Sequence, residues 1–318
     1  MVFVIGEYVI DLVDDGNNKY DIHLGGCGLN AAVACIKHDV PTAFLSPISQ
    51  DANGLKVIDY LVEQELLFDP ELCNNSAPST LALATIQESG SAKYDFYIKN
   101  TASMVMQSEQ LLNALSMHSD IKVIHVGSLS MLMNPTSSAI LDVLSFKTPK
   151  PIIFVDPNIR AQEVVKIPNW EKKLNDFFEI ANIIKLSDED LSFIYKGLSI
   201  EEAVSKIKTI NKDVHIVITK GSKGATWITP KDDVYNQDNY KVEVVDTIGA
   251  GDTFSGSLLA YLSKNSVFGD DGESPKFRLN ESVIKSALKY ACYSASLNCS
   301  KNGCNPPTCD EVESIINK

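Results

Sequence analysis

Short, almost continuously apolar runs alternate with longer segments of helical periodicity along most of this 318-residue chain. That alternation is typical of a doubly wound α/β fold, because parallel strands covered by helices on both faces read as unbroken apolar runs. The predicted strands are 3–5, 43–45, 123–126, 152–155, 183–186, 215–219 and 242–245. The predicted helices are 30–37, 54–64, 108–116, 137–145, 170–181, 200–210, 254–263 and 282–300. The sequence therefore predicts one α/β domain over residues 1–318, built on a mainly parallel sheet flanked by helices.

Two segments interrupt the alternation, at about 7–24 and 80–100. Each carries a cluster of turn-forming residues, at 14–18 and 88–91, between stretches in which apolar and polar side chains alternate. This pattern predicts two β-hairpins with one face left uncovered by helices. We expect them to form a small sheet beside the main domain. An exposed sheet edge can also pair with a second copy, so a homodimer through this sheet is one expected arrangement.

The charge and cysteine content restrict the partners and the compartment. The formal net charge of −13 argues against nucleic acid and anionic membranes as general partners. No apolar stretch approaches the roughly 20 residues that a membrane span needs, and no targeting segment is visible at the N-terminus. The seven cysteines form no Cys-x-x-Cys pair, which favours reduced thiols. We therefore expect a cytoplasmic protein.

Residues 242–262 combine a β-branched run, a glycine turn and the start of an apolar-periodic helix. Free backbone N–H groups at a helix N-terminus bind anions, and Gly249 and Gly251 let the backbone approach one closely. Asp252, in the same turn, would then be a base next to a bound phosphate, which suits phosphoryl transfer to a hydroxyl. The alternative is a tight turn with an N-capping aspartate.

Further polar clusters stand at predicted strand ends: GGCGLN (25–30), DPNIR (156–160), KLSDED (185–190) and TKGSKG (219–224). Ligands of open α/β sheets bind beyond the carboxyl ends of the strands. There the guanidinium of Arg160 could hold a substrate oxygen or a phosphate, and Asp11 could accept from neutral hydroxyls. The acids at 188–190 could hold Mg²⁺ through water, or simply favour the first turn of a helix.

In this order, Asp11 and the clusters GGCGLN, DPNIR, KLSDED, TKGSKG and DTIGAGD resemble the ribokinase-like (PfkB) carbohydrate kinases. The resemblance runs from Gly6 to about Val312, and its strongest motif, D-T-x-G-A-G-D-x-F-x-G, is complete at 246–256. The segments HVGSLSMLMNP (125–135), DPNIR and KLSDE look most like fructokinases. The resemblance implies an ATP-dependent kinase of a small sugar, most simply fructose, and it makes the two hairpins a lid.

The resemblance also implies roles for individual residues. Catalysis would use Asp252 as the base, with an anion hole formed by the amides of Gly249, Ala250 and Gly251. The sugar would be held by Asp11, Gly26, Asn30, Arg160 and Asp252. The ATP site would be lined by Lys185, Thr219, Gly221, Gly224 and Gly251. Asp190 takes the acidic position of the family's Asn-x-x-Glu motif and would hold Mg²⁺ through water. A monovalent-cation site for K⁺, common in the family, would use Asp246 and Ile248.

Some positions depart from the fructokinase pattern. Ile98 and Ala102-Ser103 stand where fructokinase lids often carry Arg and Ala-Asp, and Cys292 replaces an asparagine often found in the late helix. The alternatives left open are a 2-keto-3-deoxygluconate kinase, which shares the DPN-x-R pattern, and a catalytically silent sugar-binding sensor. A ribose or nucleoside kinase is less favoured, because KLSDED and DPNIR differ from those groups.

Overall fold

The computed structural model describes residues 1–14, 19–86, 92–118, 120–146, 151–270 and 275–317. Its strands are β1 (Val2–Ile5), β2 (Val9–Asp14), β3 (Tyr20–Gly25), β4 (Thr42–Leu45), β5 (Leu81–Ile86), β6 (Ala92–Tyr97), β7 (Val123–Gly127), β8 (Ile152–Asp156), β9 (Ile183–Ser187), β10 (His215–Thr219), β11 (Ala225–Ile228), β12 (Val234–Gln237), β13 (Phe268–Asp270) and β14 (Pro275–Phe277). Its helices are α1 (Cys27–Ile36), α2 (Ala52–Glu63), α3 (Ser108–Ser116), α4 (Thr136–Phe146), α5 (Ala161–Val164), α6 (Trp170–Ile180), α7 (Asp188–Ile194), α8 (Ile200–Ile210), α9 (Ala250–Lys264), α10 (Glu281–Cys299) and α11 (Cys309–Ile316).

The central sheet has eight strands in the order β12-β11-β10-β9-β8-β7-β1-β4. The six strands from β10 to β4 run parallel, and β11 and β12 extend one edge in antiparallel fashion. The predicted mainly parallel α/β sheet is therefore confirmed. The antiparallel strands β11 and β12 were not predicted, because their sequences carry no long apolar run.

The predicted strand at 242–245 was wrong. This segment has no strand pairing, and its β-branched side chains at Val244 and Val245 are 63% and 61% exposed. Its amide hydrogen bond goes instead from Val245 to the carbonyl of Cys299, at 2.8 Å, where α10 ends. A β-branched run favours an extended backbone, but a strand also needs a neighbouring strand to pair with.

Strand residues alternate between two cores, one on each face of the sheet. In β1, Phe3 and Ile5 pack with the helices α3, α4, α6 and α8, whereas Val2 and Val4 pack with α1, α2, α9 and α10. This alternation follows from the two-residue period of a strand. Helix α9 is packed between α1 and α10, so its N-terminus is held rigidly at one edge of the sheet.

The two largest differences from the predicted helix starts are at α1 and α9, which begin earlier than the apolar periodicity predicted. Helix α1 begins at Cys27 rather than Asn30, and α9 begins at Ala250 rather than Phe254. In each case the first helical turn is built from the glycine-rich segment itself, where the polar and glycine residues hide the apolar period. Gly26 and Gly249 are therefore the N-cap residues of these two helices, and Gly28 and Gly251 lie in their first turns.

A second sheet of four strands, in the order β3-β2-β5-β6, lies beside the main body. It contains both predicted hairpins, joined by parallel pairing of β2 with β5. The turn clusters predicted at 14–18 and 88–91 lie almost entirely outside the described residues. Asp11, His23 and Phe96 share one face of this sheet, and Ile22 and Tyr97 share the other. Among the described residues, none of the helices has the length and apolarity needed to span a bilayer.

Candidate active site

A cleft of about 1670 Å³ runs along the carboxyl ends of the parallel strands, between the four-stranded sheet and the N-terminus of α9. The predicted site residues that line it are Asp11, Gly26, Asn30, Arg160, Lys185, Asp190, Thr219, Gly221, Gly224, Ile248, Gly249, Ala250, Gly251 and Asp252. Asp246 is not among the described residues that line the cleft. The fold thus brings together residues that lie up to 241 positions apart, between Asp11 and Asp252.

The glycine turn of 249–251 forms the N-terminus of α9. Gly249 is the N-cap with φ of +72°, and a Cβ at this position would clash with the thiol of Cys304. The amide of Ala250 donates to the carbonyl of Thr247 at 3.2 Å. Gly251 lines the cleft in the first turn of α9, where backbone amides have no acceptor within the helix. The turn therefore offers an amide donor and the positive end of the helix dipole to an anion.

Asp252 lies in the first turn of α9 and is 5% exposed. Its Oδ2 accepts a hydrogen bond from the Nδ2 of Asn30 at 2.8 Å, and its Oδ1 accepts one from the Nδ2 of Asn158 at 3.0 Å. Burial raises the pKa of Asp252, while the Asn30 amide and the positive charge of Arg160 act in the opposite direction. A buried carboxylate with a raised pKa, fixed at both oxygens, is suited to accept a proton.

Asp11, on β2 of the four-stranded sheet, and Arg160 both line the cleft, and their charges interact. Burial raises the pKa of Asp11 to about 6, opposed by the positive charges of Arg160 and His23. Asp11 lies close to Gly25, where an added Cβ would come within 2.7 Å of its Oδ2. Arg160 is the last residue of the DPNIR loop and the N-cap residue of α5. A carboxylate and a guanidinium here can recognise hydroxyl groups by accepting and by donating.

A buried ion pair lies directly beneath the glycine turn. The Nζ of Lys185 lies 3.0 Å from the Oδ2 of Asp156, and that oxygen also accepts from the hydroxyl of Ser255 at 2.8 Å. A Cβ added to Gly251 would lie 3.3 Å from the Nζ of Lys185. Burial acts to lower the pKa of Lys185, but Asp156 and Asp190 offset this and the net pKa is raised. Lys185 is therefore a permanent cation at the anion-binding turn.

Asp190 is held by backbone amides on both sides. Its Oδ2 accepts from the amide of Ser187 at 2.8 Å in a reciprocal capping box at the start of α7. Its Oδ1 accepts from the amide of Ile159 at 2.7 Å. The carboxylate therefore ties the DPNIR loop to α7. Each oxygen keeps a second lone pair, which is the capacity that a water-mediated contact to Mg²⁺ needs.

The part of the cleft next to the end of β10 is lined by residues that were predicted to bind ATP. Gly224, with φ of +79°, ends the turn after β10, and a Cβ there would clash with the carbonyl of Gln237. Gly221, with φ of +51°, and Thr219 line the same end. Val244 and Cys292 add an apolar surface next to them. An apolar surface beside glycine turns suits a flat base attached to a polyphosphate.

Asp246 and Ile248 lie behind the glycine turn. The carboxylate of Asp246 accepts from the amides of Ile248 at 3.0 Å and Gly303 at 2.9 Å. The carbonyl of Ile248 accepts from the Nδ2 of Asn298 at 2.8 Å, and the Oδ1 of Asn298 accepts from the amide of Asn305. These contacts fix the start of the turn to the loop that follows α10. The carboxylate of Asp246 and the carbonyl oxygen of Ile248 are hard oxygen ligands of the kind that K⁺ binds, and each keeps a lone pair available.

Some cleft residues were not assigned a role from the sequence. Asn158 lies within the DPNIR motif, but its contact with Asp252 depends on a backbone φ of +40° that the motif does not reveal. Glu7, 2% exposed, accepts from the amide of Ser130 at 3.1 Å and lines the cleft. The available sequence signal was an acidic residue just beyond the end of the first apolar strand. Phe96 reaches the cleft from the four-stranded sheet.

Comparison with known proteins places this geometry in a family context. A family model described as "pfkB family carbohydrate kinase" matches residues 1–310. A fructokinase of Rhizobium leguminosarum bv. trifolii is 29% identical over 272 residues, which cover 84% of this chain and 81% of that protein. Fructokinase-2 of Zea mays is 27% identical over 335 residues, covering 100% of this chain and 94% of that protein.

Solved structures share the fold. The structure of a fructokinase from Vibrio cholerae O395, in a form with bound fructose, ADP and calcium ion, superimposes with a TM-score of 0.82 and 24% identity. The match covers 98% of this chain and 97% of that chain. The ribokinase from Giardia lamblia gives a TM-score of 0.83 at 17% identity, with coverage of 99% and 98%. Both have the ribokinase-like fold described above.

Proposed function

The chain belongs to the pfkB family of carbohydrate kinases, phosphotransferases that act on a sugar hydroxyl, and from that premise we propose that it transfers the γ-phosphate of ATP to fructose. The observation that carries the proposal is the position of Asp252. A buried carboxylate held by Asn30 and Asn158 directly follows Gly251 in the first turn of α9, and the charge of the Lys185 ammonium acts on it. A base and an anion site thus adjoin each other at one point of the cleft.

The chemistry follows from that adjacency. Asp252 accepts the proton of the attacking sugar hydroxyl as its oxygen bonds to the γ-phosphorus, and the bond from that phosphorus to the leaving ADP oxygen breaks. The amides of Gly249, Ala250 and Gly251 and the cation of Lys185 stabilise the negative charge on the transferring group. Of the three amides, Gly251 is the best placed, because that of Ala250 already donates to Thr247.

The sugar end favours a neutral substrate. Asp11, Gly26, Asn30 and Arg160 would hold the sugar hydroxyls, with Phe96 covering it from the four-stranded sheet. We propose that this sheet is a lid over the sugar. A 2-keto-3-deoxygluconate kinase needs a cation for the carboxylate of its substrate. The negative charge of Asp11 offsets the positive charge of Arg160, so little positive charge remains for a substrate carboxylate. This supports fructose over an acidic sugar. The names of the similar fructokinases support the same choice.

The nucleotide end fits ATP with a divalent cation. Lys185, Thr219, Gly221, Gly224 and Gly251 would line the ATP site. Mg²⁺ takes few protein carboxylates and completes its octahedron with water and substrate phosphates, so the carboxylate of Asp190, one of the acids that line the cleft, suits it. Bound there, Mg²⁺ would neutralise phosphate charge. Asp190 then contributes through water, because both of its oxygens already accept backbone amides.

A monovalent cation would act indirectly. K⁺ held by Asp246 and Ile248 would stiffen the start of the glycine turn, since both residues already tie it to the loop at Gly303 and Asn298. We expect K⁺ to raise the turnover rate more than Na⁺ does. Choline chloride at the same ionic strength is the control, and equal rates in all three salts would rule out a cation site here.

The outer face of the lid supports a dimer. Tyr20, Ile22 and Tyr97 on this face are 48%, 48% and 59% exposed, although they sit on a regular sheet. We propose that a second copy covers this face. The free thiols and the need for ATP support a proposed cytoplasmic location. Ile22→Lys should shift the sedimentation coefficient from dimer to monomer, with Val234→Lys, at another exposed position, as control. A monomeric wild type would overturn the proposed dimer.

A substrate panel tests the proposed function. ADP release is measured with fructose, 2-keto-3-deoxygluconate, ribose and nucleosides, in MgATP with and without K⁺. Release that depends on fructose, with the highest kcat/KM of the panel, supports the fructokinase proposal. Preference for 2-keto-3-deoxygluconate would support the acidic-sugar alternative instead. Sugar binding by calorimetry without any ADP release would identify a silent sugar sensor.

A further inference from the structure

The two oxygens of Asp252 are held by two asparagines that come from different elements. Asn30 belongs to α1 and donates to Oδ2, while Asn158 belongs to the loop after β8 and donates to Oδ1. An amide N–H₂ donates and does not titrate in the range where a carboxylate does. Before substrate binds, the hydrogen bonds from Asn30 and Asn158 are therefore independent of the protonation state of neighbouring groups. Together they fix the plane of the Asp252 carboxylate.

The backbone around Asn158 is held by contacts on both sides, although Asn158 lies in a loop. Its own backbone has φ of +40°, in the left-handed region that asparagine tolerates. The next residue, Ile159, donates its amide to Asp190 at 2.7 Å, and Asp156 two residues earlier is paired with buried Lys185. The loop is thus anchored on both sides of Asn158, and its amide is aimed at Asp252 before any substrate arrives.

Asn30 differs from Asn158 because it lies beside the proposed sugar site. Asn30 lines the cleft on the side of Asp11 and Gly26, where the proposed sugar site lies. A sugar hydroxyl that binds at Asp252 must donate a hydrogen bond to one of its two carboxylate oxygens. Oδ2 is the oxygen that Asn30 contacts. The Asn30 amide can pass to the same sugar, because it can both donate and accept.

We propose that Asn158 is the positioning residue of the base: it keeps hold of Oδ1 throughout, while Asn30 releases Oδ2 to become the oxygen that accepts the substrate proton. This inference rests on the proposed function for the identity of the substrate, but the hold of Asn158 on Asp252 is a property of the chain alone. Loss of the Asn158 donor leaves the base free to rotate, so the rate falls while sugar affinity changes little. Loss of the Asn30 donor mainly weakens sugar binding.

The charge environment sets the direction of the pH effect. The charged or titratable groups that act on Asp252 are Arg160, Lys185, Asp156, Cys27 and Cys304. None of these is altered by a change at Asn158. A hydrogen bond to the ionised form lowers the pKa of a carboxyl, so removing the Asn158 donor should raise that of Asp252. The acidic limb of the kcat profile then moves to higher pH.

The test uses Asn158→Gly, which removes the amide without straining the positive φ, and Asn158→Asp, which keeps the shape but replaces the donor by a second carboxylate. Asn169→Gly is the matched control, because Asn169 also has positive φ, at 55°, but makes no side-chain cap hydrogen bond at the start of α6. We expect N158G to lower kcat about 10- to 100-fold, with a sugar KM within about twofold of wild type, and N158D to lower it further.

A second measurement does not depend on turnover. The carboxyl ¹³C resonance of Asp252, assigned with Asp252→Asn, is titrated in wild type, N158G and N169G. A higher titration midpoint in N158G alone supports the inference, even if the panel of sugars finds no substrate and the proposed function fails. An unchanged midpoint, or a loss confined to sugar KM, would overturn it and make Asn158 a sugar contact.

Discussion

The ammonium of Lys185 lies 3.0 Å from the carboxylate of Asp156, and both side chains are almost completely buried beneath the glycine turn that starts α9. Ser255, on α9 itself, donates to the same carboxylate. The pair therefore joins β8, β9 and α9 at the point where the phosphate is proposed to bind. Its two consequences, for stability and for catalysis, can be separated by experiment.

Lys185→Met should lower the free energy of unfolding by about 3–5 kcal/mol, because it leaves Asp156 buried without its counter-ion. The double variant Lys185→Met/Asp156→Asn should recover most of that stability and little of the activity, because the cation at the phosphate is still missing. Urea denaturation and ADP release measure the two effects. Lys172→Met, which breaks an exposed i,i+4 pair with Asp176, is the control and should change stability by less than about 0.5 kcal/mol. Full turnover in the double variant would contradict a phosphate role for Lys185.

Gly249→Ala should abolish most turnover and lower the melting temperature. The new Cβ would meet the thiol of Cys304, and φ of +72° is strained for alanine. Gly197→Ala separates the two causes, because Gly197 has φ of +84° and nothing within 4 Å of an added Cβ. We expect G197A to lose only about 1 kcal/mol, as positive φ requires, and to keep its rate. Equal losses in both variants would mean that the contact with Cys304 has no influence on the turn.

Much of this molecule could be predicted from its sequence. The apolar runs of the parallel strands and the periodic helices report burial directly, so the sheet and its flanking helices could be inferred. The strand expected at 242–245 failed because β-branched residues favour an extended backbone, whereas pairing depends on neighbours far along the chain. The short antiparallel strands β11 and β12 carry no apolar run long enough to have predicted them.

The candidate site was predictable as a set of residues but not as a set of contacts. The order of the glycine clusters and strand-end motifs was enough to gather them at one cleft. The hydrogen bond from Asn158 to Asp252 depends on the left-handed backbone of Asn158. The hydrogen bond from the amide of Ile159 to Asp190 depends on the packing of α7. Such contacts are set by tertiary geometry, and no spacing in the sequence encodes them.

The KM for sugar should rise as the pH falls through about 6, because the pKa of Asp11 is raised to about 6 by burial. Protonated Asp11 offers one acceptor less to the sugar and no negative charge to Arg160. The KM for ATP should stay constant over the same range and serves as the internal control. In Asp11→Asn the sugar KM should be high and independent of pH between 5 and 8, values chosen to bracket that pKa. A wild-type KM that is flat across this window would show that Asp11 does not contact the sugar.

The same group makes a prediction about stability. The folded state binds the Asp11 proton more tightly than the unfolded chain, whose pKa has the ordinary value of 3.8. The contribution of Asp11 to stability therefore falls as the pH rises from about 4 to about 6 and is constant above that. Asp11→Asn should accordingly gain stability relative to wild type at pH 7 and not at pH 4, as measured by urea denaturation. A gain of the same size at both pH values would contradict the raised pKa.

One comparison tests directly whether Asp252 is the base of phosphoryl transfer. ADP and sugar phosphate are measured together, by coupled assay and ³¹P NMR, for wild type and Asp252→Asn with fructose and MgATP. Wild type should form the two products in equal amounts, and D252N should be about 10²- to 10⁴-fold slower. The melting temperature of D252N should be undiminished, since a buried carboxylate with a raised pKa has been removed. Turnover by D252N at a rate near that of wild type would show that Asp252 is not the base.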